Sequence, residues 1–342
     1  MNICLFRLSA LGDVTHVLTV VRQIEQQLPG ARITWIIGRT EHRLLQGLQG
    51  VEFIEFNKAA GVTSFRDLFR TMRGRRFDVL LHLQVSLRAN VAALLVRARR
   101  RIGFDRARSR DLHGLVVGER IAAANEQHVL DAMQSFVVPI GLQPGTPRWD
   151  IPLTEEDYAF ADMHLDPDRP TLCISAVSSH KLRNWRIGGY AAVADHAANR
   201  HGMQVILTGG PTELEKRSNA GIAARMNTAA LNLTGKDTLK QLAALLARSD
   251  LLLAPDTGPM HIANAMGTDV LGLHAASNPR RSGPYNSIEW CVDQYDAAAR
   301  KFLKRSADEI RWGTKIEYPG VMDLITVDHV IGKLDEWAAK RL

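Results

Sequence analysis

Leu251-Leu252-Leu253-Ala254-Pro255-Asp256-Thr257-Gly258-Pro259-Met260-His261 carries an apolar run straight into a turn crowded with polar groups. Leu251 to Ala254 is short and apolar throughout, the pattern of a strand buried on both faces of a parallel sheet. Ile262 to Met266 continues as a helix, and Gly267 stops it. The turn is therefore expected at a strand's carboxyl end, where open α/β sheets bind ligands. Free N–H groups at the head of the helix suit a phosphate, Gly258 lets the backbone come close, and Asp256 and His261 are expected to face the ligand. Asp256-Thr257-Gly258 also spells the aspartic-protease triplet. Such an enzyme needs two carboxylates sharing a proton, and no second triplet occurs. The plainer alternative, that Asp256 and Thr257 only cap a helix, leaves His261 without a role.

The same grammar recurs along all 342 residues. Asn2 to Leu8 and Thr171 to Val177 are short apolar strands, each running into a Ser-containing loop and an amphipathic helix. Further strands are expected at 32–37, 51–56, 77–83 and 101–104, then at 204–208, 230–233, 251–254 and 270–273, with helices between them such as 14–28 and 87–97. Strands alternating with helices mean parallel sheets. Gln143-Pro144-Gly145-Thr146-Pro147 reads as the joint between two such halves. The expected division is 1–148, 149–326 and a terminal helix within 327–342. Two doubly wound domains facing across a cleft would suit a two-substrate enzyme.

Composition narrows the class. The charged and apolar fractions are those of a water-soluble globular chain, and Arg7, Asp13 and His16 interrupt the apolar start, which reads as neither signal peptide nor membrane span. A cytoplasmic location is expected. Cys4, Cys173 and Cys291 are odd in number and far apart, without the spacing of a zinc site or disulfide framework. Residues 1–150 hold 21 Lys and Arg against 13 acids, so the excess of positive charge lies there. Arg97, Arg99, Arg100, Arg101, Arg106, Arg108 and Arg110 form its densest cluster. A solvated basic face, a nucleic acid, an anionic membrane surface and a phosphorylated substrate all fit that asymmetry. Nucleic acid is disfavoured, because only Phe104 is interleaved with these arginines and a stacking platform wants several aromatics.

The first strand leads into Ser9-Ala10-Leu11-Gly12-Asp13, which is not the GxGxxG of dinucleotide-binding folds. Asp13 stands at the mouth of the first sheet. It reads equally as a general base for a bound hydroxyl and as the cap of the helix that follows. His128 reads as a capping or packing residue.

The chain resembles the ADP-heptose:lipopolysaccharide heptosyltransferases, glycosyltransferases of GT-B fold. The resemblance rests on Ser9-x-x-Gly12-Asp13, on Ser178-Ser179 with the basic residues before Trp185, on Gly209-Gly210 with Glu213, and above all on Asp256-Thr257-Gly258-x-x-His261. It implies α/β architecture with two Rossmann-like domains, the first receiving a Kdo-lipid A acceptor and the second ADP-heptose, the donor substrate, with no separate cofactor. It implies Asp13 as catalytic base, Glu213 as ribose contact, Ser178 and Ser179 in the donor loop, and Asp256, Thr257, Gly258 and His261 as sugar and diphosphate contacts. The family usually has Lys two positions before the Trp and Pro after it; here Arg183 and Arg186 stand there, with Lys181 upstream. Either Arg183 or Lys181 would face the departing diphosphate, one as a fork and the other as a point charge. His82-Leu83-Gln84 resembles the segment carrying a Gln in enzymes that add the first heptose to Kdo. No DxD-type carboxylate pair stands ready for a metal, so inversion without metal is expected, by an enzyme peripheral to the inner face of the inner membrane. Another nucleotide-sugar transferase or an epimerase of the same frame is the alternative.

Overall fold

Ile3 to Phe6 and Leu251 to Ala254 are fully buried, so neither strand has a solvent face. In the computed structural model, which describes residues 1–342, each is the centre of its own sheet. The chain divides into compact units Met1–Pro152 and Leu153–Leu342. The first holds β1 (Asn2–Phe6), β2 (Arg32–Gly38), β3 (Val51–Phe56), β4 (Phe77–His82), β5 (Ala98–Gly103) and β6 (Glu119–Arg120). The second holds β7 (Thr171–Ile174), β8 (Gln204–Leu207), β9 (Leu231–Asn232), β10 (Leu251–Pro255), β11 (Asp269–His274) and β12 (Val292–Asp293).

All pairings are parallel, in the orders β3-β2-β1-β4-β5-β6 and β12-β11-β10-β7-β8-β9. In each unit the chain begins mid-sheet, winds outward to one side, then returns and winds to the other. The order reverses between β1 and β4, and again between β7 and β10. Doubly wound sheets bind ligands in the crevice at such a reversal. Each unit therefore has one such place, at the carboxyl ends of its two central strands.

Several boundaries differ from those expected. The first helix runs Leu11–Gln27, so Asp13 lies inside its first turn and does not precede it. Two edge strands, β6 and β12, were not anticipated; two residues are too few to show any period. The units part a few residues after the expected joint at 148, and the last helix, Val327–Arg341, packs on helix Ile187–His201 and on β11 as an integral part of the second unit. All three cysteines are buried and free. No helix is long and apolar enough to cross a membrane.

Candidate functional site

At the first reversal, Arg7 ties β1 to β4. Its guanidinium donates to the Leu83 carbonyl and, at 2.5 Å, to the Ser9 carbonyl, and it pairs with Asp13. Gln84 completes the tie: its Oε1 accepts the Leu8 N–H at 2.7 Å and its Nε2 lies 3.4 Å from Ser9 Oγ. Asp13 also takes the Ala10 N–H at 3.2 Å, through the same oxygen, Oδ2, that meets Arg7. Both contacts fall on one oxygen, which leaves Oδ1 open on a side chain 29% exposed. Asp13 thus accepts the N-cap N–H of its own helix and still has one oxygen to offer.

At the second reversal, β10 delivers Asp256 and helix Gly258–Met266 starts two residues later. Thr257 occupies the N-cap position, yet its side chain makes no capping bond and lies 3.5 Å from the Val177 carbonyl. The leading N–H groups are left for an anion, the positive end of the helix dipole. Gly267, at φ +86°, closes the helix in the left-handed region that glycine tolerates. Asp256 is nearly buried and meets Lys315 at 2.7 Å and Arg183 at 3.7 Å. Burial would raise its pKa, but Lys315, His274 and His261 outweigh that and hold the carboxyl far below the usual range. His274, at the end of β11, is pushed down to about 4 by burial, although Asp256 opposes the shift, and burial likewise lowers Lys315.

Lys315 and Glu317 were missed in the sequence because they come from far along the chain, and His274 because a lone histidine after the expected strand 270–273 carries no motif. Between Lys315 and Glu317, Ile316 is fully buried and its N–H donates to the Ala276 carbonyl at 2.9 Å, which turns both charged neighbours the other way. Glu317 grips Arg183 at 2.6 Å. The basic loop carrying Arg183 is fixed by Trp185, whose indole N–H donates to the Ile325 carbonyl at 2.8 Å. Gly189 permits that packing, since a Cβ there would meet the indole at 2.6 Å.

Of the other expected contacts, Ser178 is buried and shapes this loop, its N–H donating to Asn184 Oδ1 at 2.7 Å and its hydroxyl to the His180 carbonyl at 2.9 Å. Ser179 and Lys181 are exposed. Glu213 opens helix Glu213–Ala223 as an exposed carboxylate 3.3 Å from Lys216. Glu215 instead turns inward and accepts the Gly210 N–H at 2.7 Å. His261 is buried beside Asp256, within reach of its charge.

The family model for glycosyltransferase family 9 (heptosyltransferase) matches residues 65–309. The chain belongs to that family. It is an enzyme, a heptosyltransferase. The lipopolysaccharide core heptosyltransferase OpsX of Haemophilus influenzae is 38% identical over 97% of this chain and 96% of its own. Among solved structures, a family 9 glycosyltransferase from Veillonella parvula superposes with a TM-score of 0.78 at 20% identity, covering 99% of this chain and 97% of that one. The Escherichia coli heptosyltransferase WaaC with ADP gives 0.73 at 16% identity over 98% of this chain and 100% of its own. The fold is GT-B, built of two Rossmann-like units.

In the heptosyltransferase, the arginine cluster of the first unit divides in a way the sequence did not show. Arg101 donates to the Ala93, Val96 and Val116 carbonyls at 2.6–2.7 Å. Arg100 grips Glu119 and the Pro139 carbonyl, and Arg108 pairs with Asp105. These three are engaged within the unit, whereas Arg97, Arg99, Arg106 and Arg110 are exposed. His128 caps helix Val129–Gln134 by accepting the Leu130 N–H at 3.1 Å. One group of metal-ligating types exists, His196, His201 and Asp335, with ligand atoms within 4.8 Å of one another. It lies near the amino end of β8, at the opposite end of the sheet from the Asp256 loop. Both imidazole Nε2 atoms sit at hydrogen-bond distance from Asp335 Oδ1, 2.7 and 2.6 Å, joining helix Ile187–His201 to the last helix.

Proposed function

We propose that this enzyme moves heptose from ADP-heptose to a Kdo residue of the lipopolysaccharide inner core, with inversion and without a metal. The observation that carries the reading is the uncapped helix start at Gly258 beside an Asp256 already neutralised by Lys315. A diphosphate placed there meets helix amides and does not meet an uncompensated carboxylate. Arg183, held beside Asp256, gives the departing phosphate a directional contact, and the exposed Lys181 adds charge. Glu213, exposed beside Lys216, accepts hydrogen bonds from the ribose hydroxyls; Thr257 and His261 bind the sugar end. Ser178 acts by shaping the loop and Ser179 by direct contact.

On the acceptor side, Asp13 Oδ1 takes the proton of the Kdo hydroxyl as its oxygen attacks the anomeric carbon. The C–O bond to ADP breaks on the opposite face, so the configuration inverts, and ADP leaves with the bonding pair. Arg7 keeps the base oriented. Gln84, hydrogen-bonded to the same loop, is placed to contact Kdo. The relatives named above support this chemistry: one acts in the lipopolysaccharide core and another was solved with ADP. The acceptor places the enzyme in the cytoplasm at the inner face of the inner membrane.

The test is ADP release and product analysis with ADP-heptose and Kdo-bearing lipid A. Transfer dependent on Kdo, of inverted configuration and indifferent to thorough chelation, is expected. Transfer to a heptose-terminated acceptor alone, or activity restored by added divalent cation, would overturn the acceptor or the metal-free mechanism respectively.

A further inference from the structure

Leu87, Val91 and Leu94 recur at helical spacing along helix Leu87–Ala93 and its C-cap, and all three face solvent. The inward face of that helix is already filled by the fully buried Ala89, Ala92 and Ala93. The helix is therefore apolar on both sides, which core packing does not require. Beside it, Leu112 and Leu115 are 64% and 81% exposed, on or just before helix His113–Val116, which packs on Leu87–Ala93.

A rigid network holds these side chains outward. Asn90, buried, accepts from His82 Nε2 at 2.8 Å and from His113 Nδ1 at 3.0 Å, and donates to the Asp111 carbonyl at 2.6 Å. His113 Nε2 accepts the Phe104 N–H, which fixes its tautomer. Asp111 and Leu112 sit at φ +53° and +64°, a region disfavoured for any residue with a side chain. The fold sustains that conformation while presenting an apolar side chain to water.

The charge around the patch points to its occupant. Gln84 to Gly118 contains eight arginines and two acids. Arg100, Arg101 and Arg108 are committed inside, but Arg88, Arg97, Arg99, Arg106 and Arg110 are exposed, while Asp105 is buried against Arg108. Arg88 lies on the patch helix, and Arg110 donates to the Val85 carbonyl at its head. We propose that this surface docks on an anionic lipid bilayer, with the leucines entering the headgroup boundary and the arginines meeting lipid phosphates. A second copy of the chain fits less well, because face-to-face pairing would set arginines against arginines. The inference rests on the proposed acceptor, since a lipid-anchored sugar requires the enzyme at the membrane.

Flotation of the full chain with phosphatidylethanolamine–phosphatidylglycerol vesicles, against phosphatidylcholine vesicles, tests it. Binding to the anionic vesicles is expected. Leu94→Ser with Leu115→Ser should lower the partition coefficient by about tenfold or more. Arg88→Ser with Arg110→Ser should lower it about fivefold and flatten its salt dependence. Met163→Ser, which removes an exposed methionine of the second unit, should change nothing. Absence of binding by the unmodified chain, or equal binding by the leucine variant, overturns the proposal. A dimer that the leucine changes dissociate, without vesicle binding, assigns the patch to a second copy. Transfer to a water-soluble Kdo acceptor, run on the same proteins, separates the two readings. Its retention in the leucine variant shows that only docking was lost, and its absence in the unmodified chain sinks the proposed reaction while leaving the vesicle result to stand alone.

Discussion

The two sheets reverse their order in the same way, and each reversal presents one aspartate after a central strand. Asp13 is 29% exposed and spends a single oxygen on Arg7 and its own helix. Asp256 is 11% exposed and sits against Lys315, with Arg183 beyond it. The same residue type, after the first strand of one sheet and after the fourth strand of the other, therefore meets different surroundings at the two reversals. Asp13 keeps one oxygen open to solvent, whereas Lys315 and the two histidines near Asp256 hold its carboxyl well below the usual range despite burial. The lesson is that topology chooses the place and local burial chooses the role.

The strongest way to break this comparison is to remove the locked carboxylate. Asp256→Ala leaves Lys315 without its partner and Arg183 with Glu317 alone, and should cost about 2–3 kcal/mol of stability, the low side for a buried pair because both cations keep some solvent. ADP binding and activity should fall together. Thermal unfolding alongside calorimetric ADP titration checks it, and unchanged stability would mean that the pair is not a structural lock. Asp13→Asn should do the opposite: turnover falls about 10²-fold while ADP affinity and unfolding temperature stay nearly constant. Turnover within a fewfold of normal would remove Asp13 as the base.

Acid sharpens the contrast between the two environments. Burial, helped by His113, pushes His82 down to about 3; burial and Arg120 push His113 to about 4; and His274 in the second unit also falls to about 4. Unfolded, these imidazoles titrate near 6.5. Below that pH the unfolded chain binds more protons, so stability present above pH 6.5 drains away as pH falls toward 4. Roughly 1–2 kcal/mol per histidine should be lost by about pH 5. Chemical denaturation at neutral and mildly acid pH measures the slope, and His113→Asn should reduce it. The smallest effect concerns the two candidate cations. Arg183→Ala should weaken ADP binding about tenfold and Lys181→Ala only about threefold, because Arg183 is held in place and Lys181 is not. A reversed ranking in the titrations would assign the phosphate contact to Lys181.

Much of the fold was legible in the sequence. Runs such as Leu251–Ala254, separated by amphipathic helices, show parallel strands wherever a strand is buried on both faces. β6 and β12 escaped because two residues carry little pattern; β9, equally short, was legible only within the longer stretch 230–233. Asp256, Thr257 and Gly258 were readable since strand, turn and helix head are contiguous. Lys315 and Glu317 were not, because the fold brings them in from some sixty positions away. The arginines misled for a related reason: closeness in sequence does not separate Arg101, whose guanidinium is spent on backbone carbonyls, from Arg99, which meets water.

The last helix has a consequence for how the molecule comes into being. Trp337 and Arg341 both donate to Asp269, at 2.9 and 2.8 Å, at the first residue of β11, and Asp335 holds two histidines of helix Ile187–His201. During synthesis the first unit has its whole sequence once Pro152 has emerged from the ribosome. The second unit lacks one wall until the final helix emerges, and until then β11 and the inner face of helix Ile187–His201 stay open to solvent and to neighbouring nascent chains. The second unit is thus the later to mature, and it carries the greater exposure to chaperones and to premature stops.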